Sequence, residues 1–333
     1  MSQSKIVDIA YYLPEFELDS ERLSQEFKTF DIDKVEKKIG IKKRHVSDEK
    51  ETSLELGYKA SKKLLEANPD RKIDFIIFCT QTPKYILPTC ACILQDMLDL
   101  PNTVGALDFN LGCSGYVYGL ALCKGLIASG VAKNILFVTA DTYTKYIHKK
   151  DKGNRSIFGD GATATLVSES LNIDIGEFEL GTDGSGFDKL IIRNGATKNR
   201  YDKDAEEKSY GDDNVFNDNC IYMNGPEIFN FTINNVPGLV EKTLIKNNLT
   251  HEDISLFVYH QANKFMLDYL RKKSKIDPKK FYNNLEESGN TVSSTIPIAL
   301  KRAIDNNYIN KGDKLLLAGF GVGLSWGATV ITY

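Results

Sequence analysis

Short runs of β-branched and large apolar residues alternate along the chain with stretches whose apolar positions recur every three or four residues. Strands therefore alternate with helices, and the fold class predicted is α/β. KIDFIIFCT (72–80) is apolar enough throughout to be a buried strand. TCACILQDMLDL (89–100), entered from Pro88, has helical spacing, and TVGALDFNLG (103–112) is a strand running into a tight turn. CSGYVYGLALCKGLIASG (113–130) is a helix ending at Gly130, AKNILFVTAD (132–141) the next strand, and GDGATATLVSES (159–170) a turn and a further strand.

The second half repeats this grammar. EIFNFTINNVPGLVEKTLIKNN (227–248) is helical, and Pro237 predicts a break into two segments. ISLFVYHQAN (254–263) is a strand entering a turn, KFMLDYLRKKSK (264–275) and TVSSTIPIALKRAIDNN (291–307) are helices, and DKLLLAGFGVGLSWGATVITY (313–333) gives two strands around a glycine-rich turn. Each half sends a strand toward a reactive residue type, Cys113 in one and His260 in the other. Two similar halves, 1–171 and 172–333, predict an internally duplicated fold, although no residue-level repeat is visible. The stretch 194–219 is poor in apolar residues and rich in charge, so it reads as a solvated surface insertion, with a cover over the substrate as the other reading.

Composition narrows the function. The 333 residues, 42% of them hydrophobic, can bury one large core or two medium ones. A net charge of −3 excludes a global basic field for nucleic acid and leaves only room for a local basic patch. No basic segment followed by a long apolar run opens the chain, and the longest apolar runs are strand-length, so the expectation is a cytoplasmic protein without a membrane span. Six cysteines without a CxxC pair, beside only four histidines, predict neither a metal site nor a disulfide framework. Cys79, Cys90, Cys92 and Cys123 are expected to be buried and inert.

Four segments carry candidate chemistry. In DFNLGCSGYVYGL, Cys113 stands where a strand turns into a helix; the positive end of the helix dipole is expected to lower its pKa. Gly112, Ser114 and Gly115 leave room for close approach of a substrate. A small structural cysteine in a crowded turn is the alternative. In VYHQAN, His260 lies at a strand end, where α/β folds place their sites, and the polar run after it is available to orient the imidazole. A satisfied structural histidine is the plainer reading. In EESGNTVSST, Asn290 is either a helix cap or an amide donor to a bound carbonyl. In GFGVGLSWG, glycine-rich backbone N–H groups suit an oxyanion hole, and the strand predicted after it argues against a dinucleotide loop. A nucleophile, a base-like group, an amide donor and an oxyanion turn together suggest covalent thiol catalysis.

LPTCACILQ, DFNLGCSGYVYGL, IFGDGATATL, YMNGPEIF, VYHQAN, SGNTVSST and GFGVGLSWGA, in this order and from about IGIKKRHV (39–46) to the C-terminus, closely resemble the ketoacyl-acyl-carrier-protein synthase III family of the thiolase superfamily. The resemblance implies a five-layered αβαβα thiolase-like fold, a homodimer, and no cofactor beyond thioester substrates. It implies that Cys113 carries the acyl group, that His260 and Asn290 form the decarboxylation pair, and that the N–H groups of Cys113 and Val322 form the oxyanion hole. The reaction implied is a decarboxylating Claisen condensation of an acyl thioester with malonyl-acyl carrier protein, as in fatty acid biosynthesis.

Several positions depart from the family pattern. Lys34 and Lys152 stand where a tryptophan and an arginine sandwich the adenine of acyl-CoA; stacking is lost and phosphate attraction kept, which gives a carrier-protein donor more weight. Phe265 replaces an arginine used for carrier docking. Lys264, Arg271, Lys272 and Lys273 remain to meet an acidic carrier or a phosphopantetheine phosphate, unless they are only a solvated helix face. Leu87 stands where a phenylalanine from the partner subunit closes the acyl pocket, which implies longer or branched acyl groups. Val322 replaces the middle glycine of its turn and narrows the site. Gln81 stands near the position of the glutamate base of hydroxymethylglutaryl-CoA synthase, which argues against that chemistry. Two rivals follow: transfer of the acyl group to an amine or hydroxyl, with His260 as general base, and a non-enzymatic partner subunit, against which the presence of Cys113, His260 and Asn290 argues. Housekeeping lipid metabolism and a dedicated pathway, such as decoration of a surface sugar, both fit the residues.

Overall fold

Burial sorts the apolar runs into two sheets of one topology. The computed structural model describes residues 3–172, 174–211 and 214–333. In the first sheet, strands Gln3–Tyr12, Gly161–Ser170, Asn134–Asp141, Phe75–Cys79 and Gly105–Phe109 lie side by side in that order, the first two pairings antiparallel and the last two parallel. In the second, Ile175–Thr182, Ser325–Thr332, Lys314–Gly321, Leu256–Tyr259 and Phe281–Tyr282 repeat both the order and the sense. The central strands are buried on both faces, Ile76 to Cys79 in one sheet and Leu315 to Ala318 in the other, which is why their sequences read as unbroken apolar runs.

Helices complete five layers. Ser53–Ala67 and Cys90–Met97 cover the outer face of the first sheet, Gly115–Ala128 and Thr295–Asp305 lie between the sheets, and Gly225–Lys246 covers the outer face of the second. This is the duplicated thiolase-like arrangement expected. Helix Gly115–Ala128 is apolar around most of its circumference and buries Tyr116, Val117, Leu120, Cys123 and Ile127, as a helix between two sheets must. It approaches the first sheet so closely that a Cβ on Gly119 would collide with the Phe137 ring.

The duplication pairs residues differently from the sequence reading. Each inner helix follows the edge strand of its sheet, so the turn of Cys113 after Gly105–Phe109 matches the turn of Asn290 after Phe281–Tyr282. His260, just after Leu256–Tyr259, matches the end of Phe75–Cys79, where Gln81 lies.

Two local expectations are corrected. Pro237 does not split its helix: Gly225–Lys246 runs unbroken, because Val236, Leu239 and Val240 around it are buried and tertiary packing outweighs one missing hydrogen bond. Cys92 is exposed; two residues on from buried Cys90, it points to the opposite side of its helix. The 194–219 stretch, of which positions 212 and 213 lie outside the described residues, is exposed over most of 195–209, and its second part is docked on the first half. Strands Lys208–Tyr210 and Asn214–Phe216 pair, the Tyr210 hydroxyl donates to buried Asp151 at 2.7 Å, and Asn214 Oδ1 accepts from Gly153 N–H at 2.8 Å. Among the described residues, no helix is long and apolar enough to cross a membrane.

The Gly119 contact gives a test of this packing. Gly119→Ala should lower the unfolding free energy by about 1–3 kcal/mol through overpacking, seen as a lower urea midpoint with an unchanged slope.

Candidate active site

The strand Gly105–Phe109 is joined to helix Gly115–Ala128 by residues 110–114, and Cys113 occupies the tight turn there, two residues ahead of the helix. Gly115 N–H closes that turn on the Gly112 carbonyl at 2.8 Å. Over it lies the end of strand Lys314–Gly321 of the second sheet: a Cβ on Gly319 would fall 2.8 Å from the Cys113 carbonyl oxygen, and one on Gly321 would fall 2.9 Å from Cys113 Cβ. Only glycines permit so close a passage. The Ser114 and Ser325 hydroxyls join the two segments at 2.7 Å, and Ser325 also donates to the Val322 carbonyl at 2.9 Å. Val322 is thereby held beside the Cys113 turn, with its Cγ1 packed over Gly112. Among the described residues, the backbone N–H of Val322 has no partner, and that of Cys113 leans only toward its own sulfur.

Burial overrides the helix dipole at the thiol. The expectation of a lowered pKa is not met: Cys113 is only 5% exposed, and desolvation, reinforced by the nearby Asp141 carboxyl, pushes its thiol up to about 12. Asp141 itself is fully buried and pushed up to about 7, while Ser293 Oγ–H (2.7 Å) and Gln81 N–H (2.8 Å) hold its carboxyl group.

His260 emerges from strand Leu256–Tyr259 with its own N–H on the Ala318 carbonyl at 2.8 Å, and its ring meets Phe320 edge to face at 5.6 Å. Burial pulls its pKa down to about 3, so the imidazole is neutral. The polar run after it does not orient the ring. Gln261 instead ties Tyr259 and Tyr282 carbonyls to Asn284 N–H, and Asn263 caps the helix Lys264–Lys273. The ring is set by Thr295, whose hydroxyl lies 2.7 Å from Nδ1 and 3.1 Å from the Val292 carbonyl. With the hydroxyl proton on Val292, Nδ1 carries the imidazole proton and Nε2 is a free lone pair.

Asn290 sits in the equivalent turn of the second half. Gly289 before it takes φ 63°, with no room for a side chain beside the Ile157 carbonyl and the Arg44 stem. Arg44, fully buried, props this turn by donating to the Ser156, Ile41 and Lys42 carbonyls. Asn290 Oδ1 accepts from Val292 N–H at 2.9 Å, a cap-like bond to a 3₁₀ turn rather than to the helix, which starts at Thr295. That bond fixes which way the amide points. Nδ2 is left to face His260 Nε2 at 3.4 Å. The sequence reading singled out Cys113, His260, Asn290 and Val322, and passed over Thr295, Asp141 and Arg44, which the structure places against these residues or their turns; the hydroxyl-rich run TVSST was the visible sign of the first.

Two clefts flank this cluster. One, of about 830 Å3, has Lys34, Lys38 and Lys152 on its rim and Phe229, Phe265 and Met266 in its wall. Lys34 and Lys152 thus meet across one opening, and Lys152 Nζ also donates to Thr29 Oγ1 at 3.0 Å. Lys264 is outside it, paired with Asp268 at 2.5 Å beside a smaller hollow with Lys37, Lys38 and Lys272. Arg271 donates to the Ile276 carbonyl at 3.1 Å, closing its own helix end. The other cleft, of about 730 Å3, is walled by Gln81, Asn110, Tyr143, Leu190, Ile221 and Val322. Leu87 is 80% exposed and lies outside this cleft of its own chain.

The chain matches two family models, described as 3-oxoacyl-[acyl-carrier-protein] synthase III over residues 107–184 and its C-terminal part over residues 244–333. A beta-ketoacyl-[acyl-carrier-protein] synthase III of Clostridium perfringens is 38% identical over 334 residues, 99% of each chain. Among solved structures, a 3-oxoacyl-(acyl-carrier-protein) synthase III superposes with a TM-score of 0.97 at 44% identity, covering 99% of this chain and 100% of that one. A 3-oxoacyl-(acyl-carrier protein) synthase of Burkholderia xenovorans gives 0.91 at 35% identity, covering 99% and 94%.

The buried imidazole makes a pH prediction. Its folded pKa lies far below the unfolded value of about 6.5, so the unfolded chain binds the extra proton first and the contribution of neutral His260 to stability, present above about pH 6.5, is lost as pH falls toward 3. Nitrogen-15 imidazole shifts should show neutral His260 with the proton on Nδ1 throughout pH 5–8. Thr295→Val should abolish that preference and cost about 1–3 kcal/mol through the unpaired buried group, whereas Thr295→Ser should keep both.

Proposed function

The chain belongs to the 3-oxoacyl-[acyl-carrier-protein] synthase III family and is a condensing enzyme of that kind; from that premise we propose that Cys113 is its acyl-carrying nucleophile, that His260 and Asn290 drive decarboxylation of malonyl-acyl carrier protein, and that the N–H groups of Cys113 and Val322 form the oxyanion hole. The observation that carries this reading is the amide of Asn290. Its oxygen is taken by Val292 N–H, so a donor, not an acceptor, is presented beside His260 Nε2.

The chemistry follows from two neutral partners. Cys113 Sγ attacks the carbonyl carbon of an acyl thioester while its proton moves to the free lone pair of His260 Nε2. The tetrahedral oxyanion accepts from the two backbone N–H groups. Collapse breaks the donor's carbon–sulfur bond, and the departing thiolate takes the proton from Nε2. Malonyl-acyl carrier protein then enters. The electron pair of the bond to its carboxylate becomes an enolate as CO2 leaves, and the thioester oxygen accepts hydrogen bonds from Asn290 Nδ2 and from Nε2–H. That second donor requires the other imidazole tautomer: Nε2 takes a proton from water in the cleft, Nδ1 returns one to water, and the Thr295 hydroxyl follows by turning its own proton from the Val292 carbonyl to the bared Nδ1. The enolate carbon attacks the Cys113 acyl group, Cys113 thiolate leaves and takes up one proton, and a β-ketoacyl product departs.

The remaining assignments belong to the same proposal. The enzyme is an acyltransferase acting on thioesters without another cofactor, in the cytoplasm, with an acyl carrier protein as partner and acyl-CoA as a possible donor. Lys34 and Lys152 take the phosphates of the donor arm at the rim of the basic cleft, and Lys264 with Lys272 faces the acidic carrier. Leu87, exposed with Ile86 beside it, closes the acyl cleft of a second copy in a homodimer. Residues 1–171 and 172–333 are the two evolutionary halves.

The test is CO2 release from malonyl-acyl carrier protein. Asn290→Ala should reduce it roughly 10²–10³-fold while Cys113 still accepts an acyl group, whereas His260→Ala should slow both steps, because Nε2 also takes the thiol proton during loading. An acyl acceptor consumed with no CO2 released would support transfer to an amine or hydroxyl instead.

A further inference from the structure

Gln81 occupies, in the first half, the place that His260 takes in the second, yet the reaction described above gives it no role. Its backbone N–H is fixed on Asp141 at 2.8 Å. Its Oε1 accepts from the Tyr143 hydroxyl and lies on Gly112, where a Cβ would fall 2.5 Å from Oε1 and 2.6 Å from Val322 Cγ1. Its Nε2 donates to Asn110 Oδ1 at 2.9 Å. Tyr143, 5% exposed, packs in the same apolar cluster as Cys113. A polar chain, Tyr143–Gln81–Asn110, therefore crosses the wall of the 730 Å3 cleft beside the residue that precedes Cys113.

Hydrogen-bond capacity remains in that wall. The Tyr143 proton is committed to Gln81, leaving the phenol oxygen as an acceptor. Gln81 Nε2 keeps one proton and Asn110 Nδ2 keeps two, none with a partner among the described residues. The same cleft is also lined by Leu190, Ile191, Ile192 and Ile221, with Tyr146, Asn194 and Tyr201 among its further lining residues. A plain alkyl chain would satisfy the apolar side and strip water from the polar one without replacing its hydrogen bonds, which is unfavourable. A chain with a hydroxyl in its first few carbons satisfies both, accepting from an amide and donating to the phenol oxygen.

We propose that the acyl group loaded onto Cys113 is a short hydroxyacyl group, recognised through its hydroxyl by Tyr143, Gln81 and Asn110. This rests on the reading of Cys113 as the acyl carrier. An apolar pocket tells a hydroxyl from its absence by no more than about 10²-fold, whereas a site built to hydrogen-bond a hydroxyl rejects the analogue lacking it by up to about 10⁴–10⁵-fold. With part of this wall open to water, a preference of at least about tenfold is the expectation.

The experiment offers the full-length protein an equimolar mixture of butyryl and 3-hydroxybutyryl thioesters of one carrier thiol, both enantiomers being tried, and weighs the protein intact at early times. The hydroxyacyl adduct should lead by about tenfold or more, and the ratio should fall toward one in Tyr143→Phe and in Gln81→Leu, two independent variants whose urea midpoints report on folding. A butyryl adduct forming as fast as or faster than the hydroxyacyl one overturns the proposal, as does loading of other thioesters with neither of this pair. No adduct from any thioester removes the acyl-carrier reading, and this proposal with it.

Discussion

The site depends on one contact between backbones: the glycine-bearing end of strand Lys314–Gly321, from the second half, lies directly on the Cys113 turn of the first. At Gly319 and Gly321 any side chain would strike Cys113 itself. The serine pair 114–325 then ties the turn of Val322 to the turn of the nucleophile across more than two hundred residues of sequence. Neither half has the site alone. The first brings the thiol, and the second the imidazole, the amide and the Val322 N–H group.

That contact also sets the electrostatics. Pressed between two sheets, the thiol is pushed up and the imidazole pulled down by the same loss of water, so the resting pair is neutral rather than a thiolate–imidazolium pair. The cationic end of the helix starts only at Gly115, two residues too late to reverse this. A neutral pair stores no separated charge in a dry site, where it would be costly, and in the proposed reaction charge arises only as bonds change, opposite the backbone N–H groups of Cys113 and Val322 and the Asn290 amide. Arg44 beneath Asn290 and Thr295 behind His260 contribute by holding those donors still.

Much of this was legible in the chain. The buried strands declared themselves because they are apolar on both faces, and the turn residues around Cys113, His260 and Asn290 because glycine and polar runs interrupt that pattern. What escaped shares one cause: contacts between residues far apart in sequence. Thr295 is 35 residues from His260, and Ser293 is 152 from Asp141. Local rules assigned Pro237 a helix break, Cys113 a lowered pKa and Gln261 a hold on the imidazole; packing against the second sheet, burial and Thr295 decided otherwise. Gln81 read only as a missing glutamate, since its bonds to Tyr143 and Asn110 come from other strands' ends.

The claim at the centre is that Cys113 carries the acyl group that malonate then extends. Wild-type protein and Cys113→Ala, exposed to a panel of acyl-CoA and acyl-carrier-protein thioesters and weighed intact, test it directly. The account predicts a mass gain of one acyl group on the wild type alone, discharged as a β-ketoacyl product when malonyl-acyl carrier protein is added. An equal gain on Cys113→Ala, or an acyl group that malonyl-acyl carrier protein leaves in place, would contradict it.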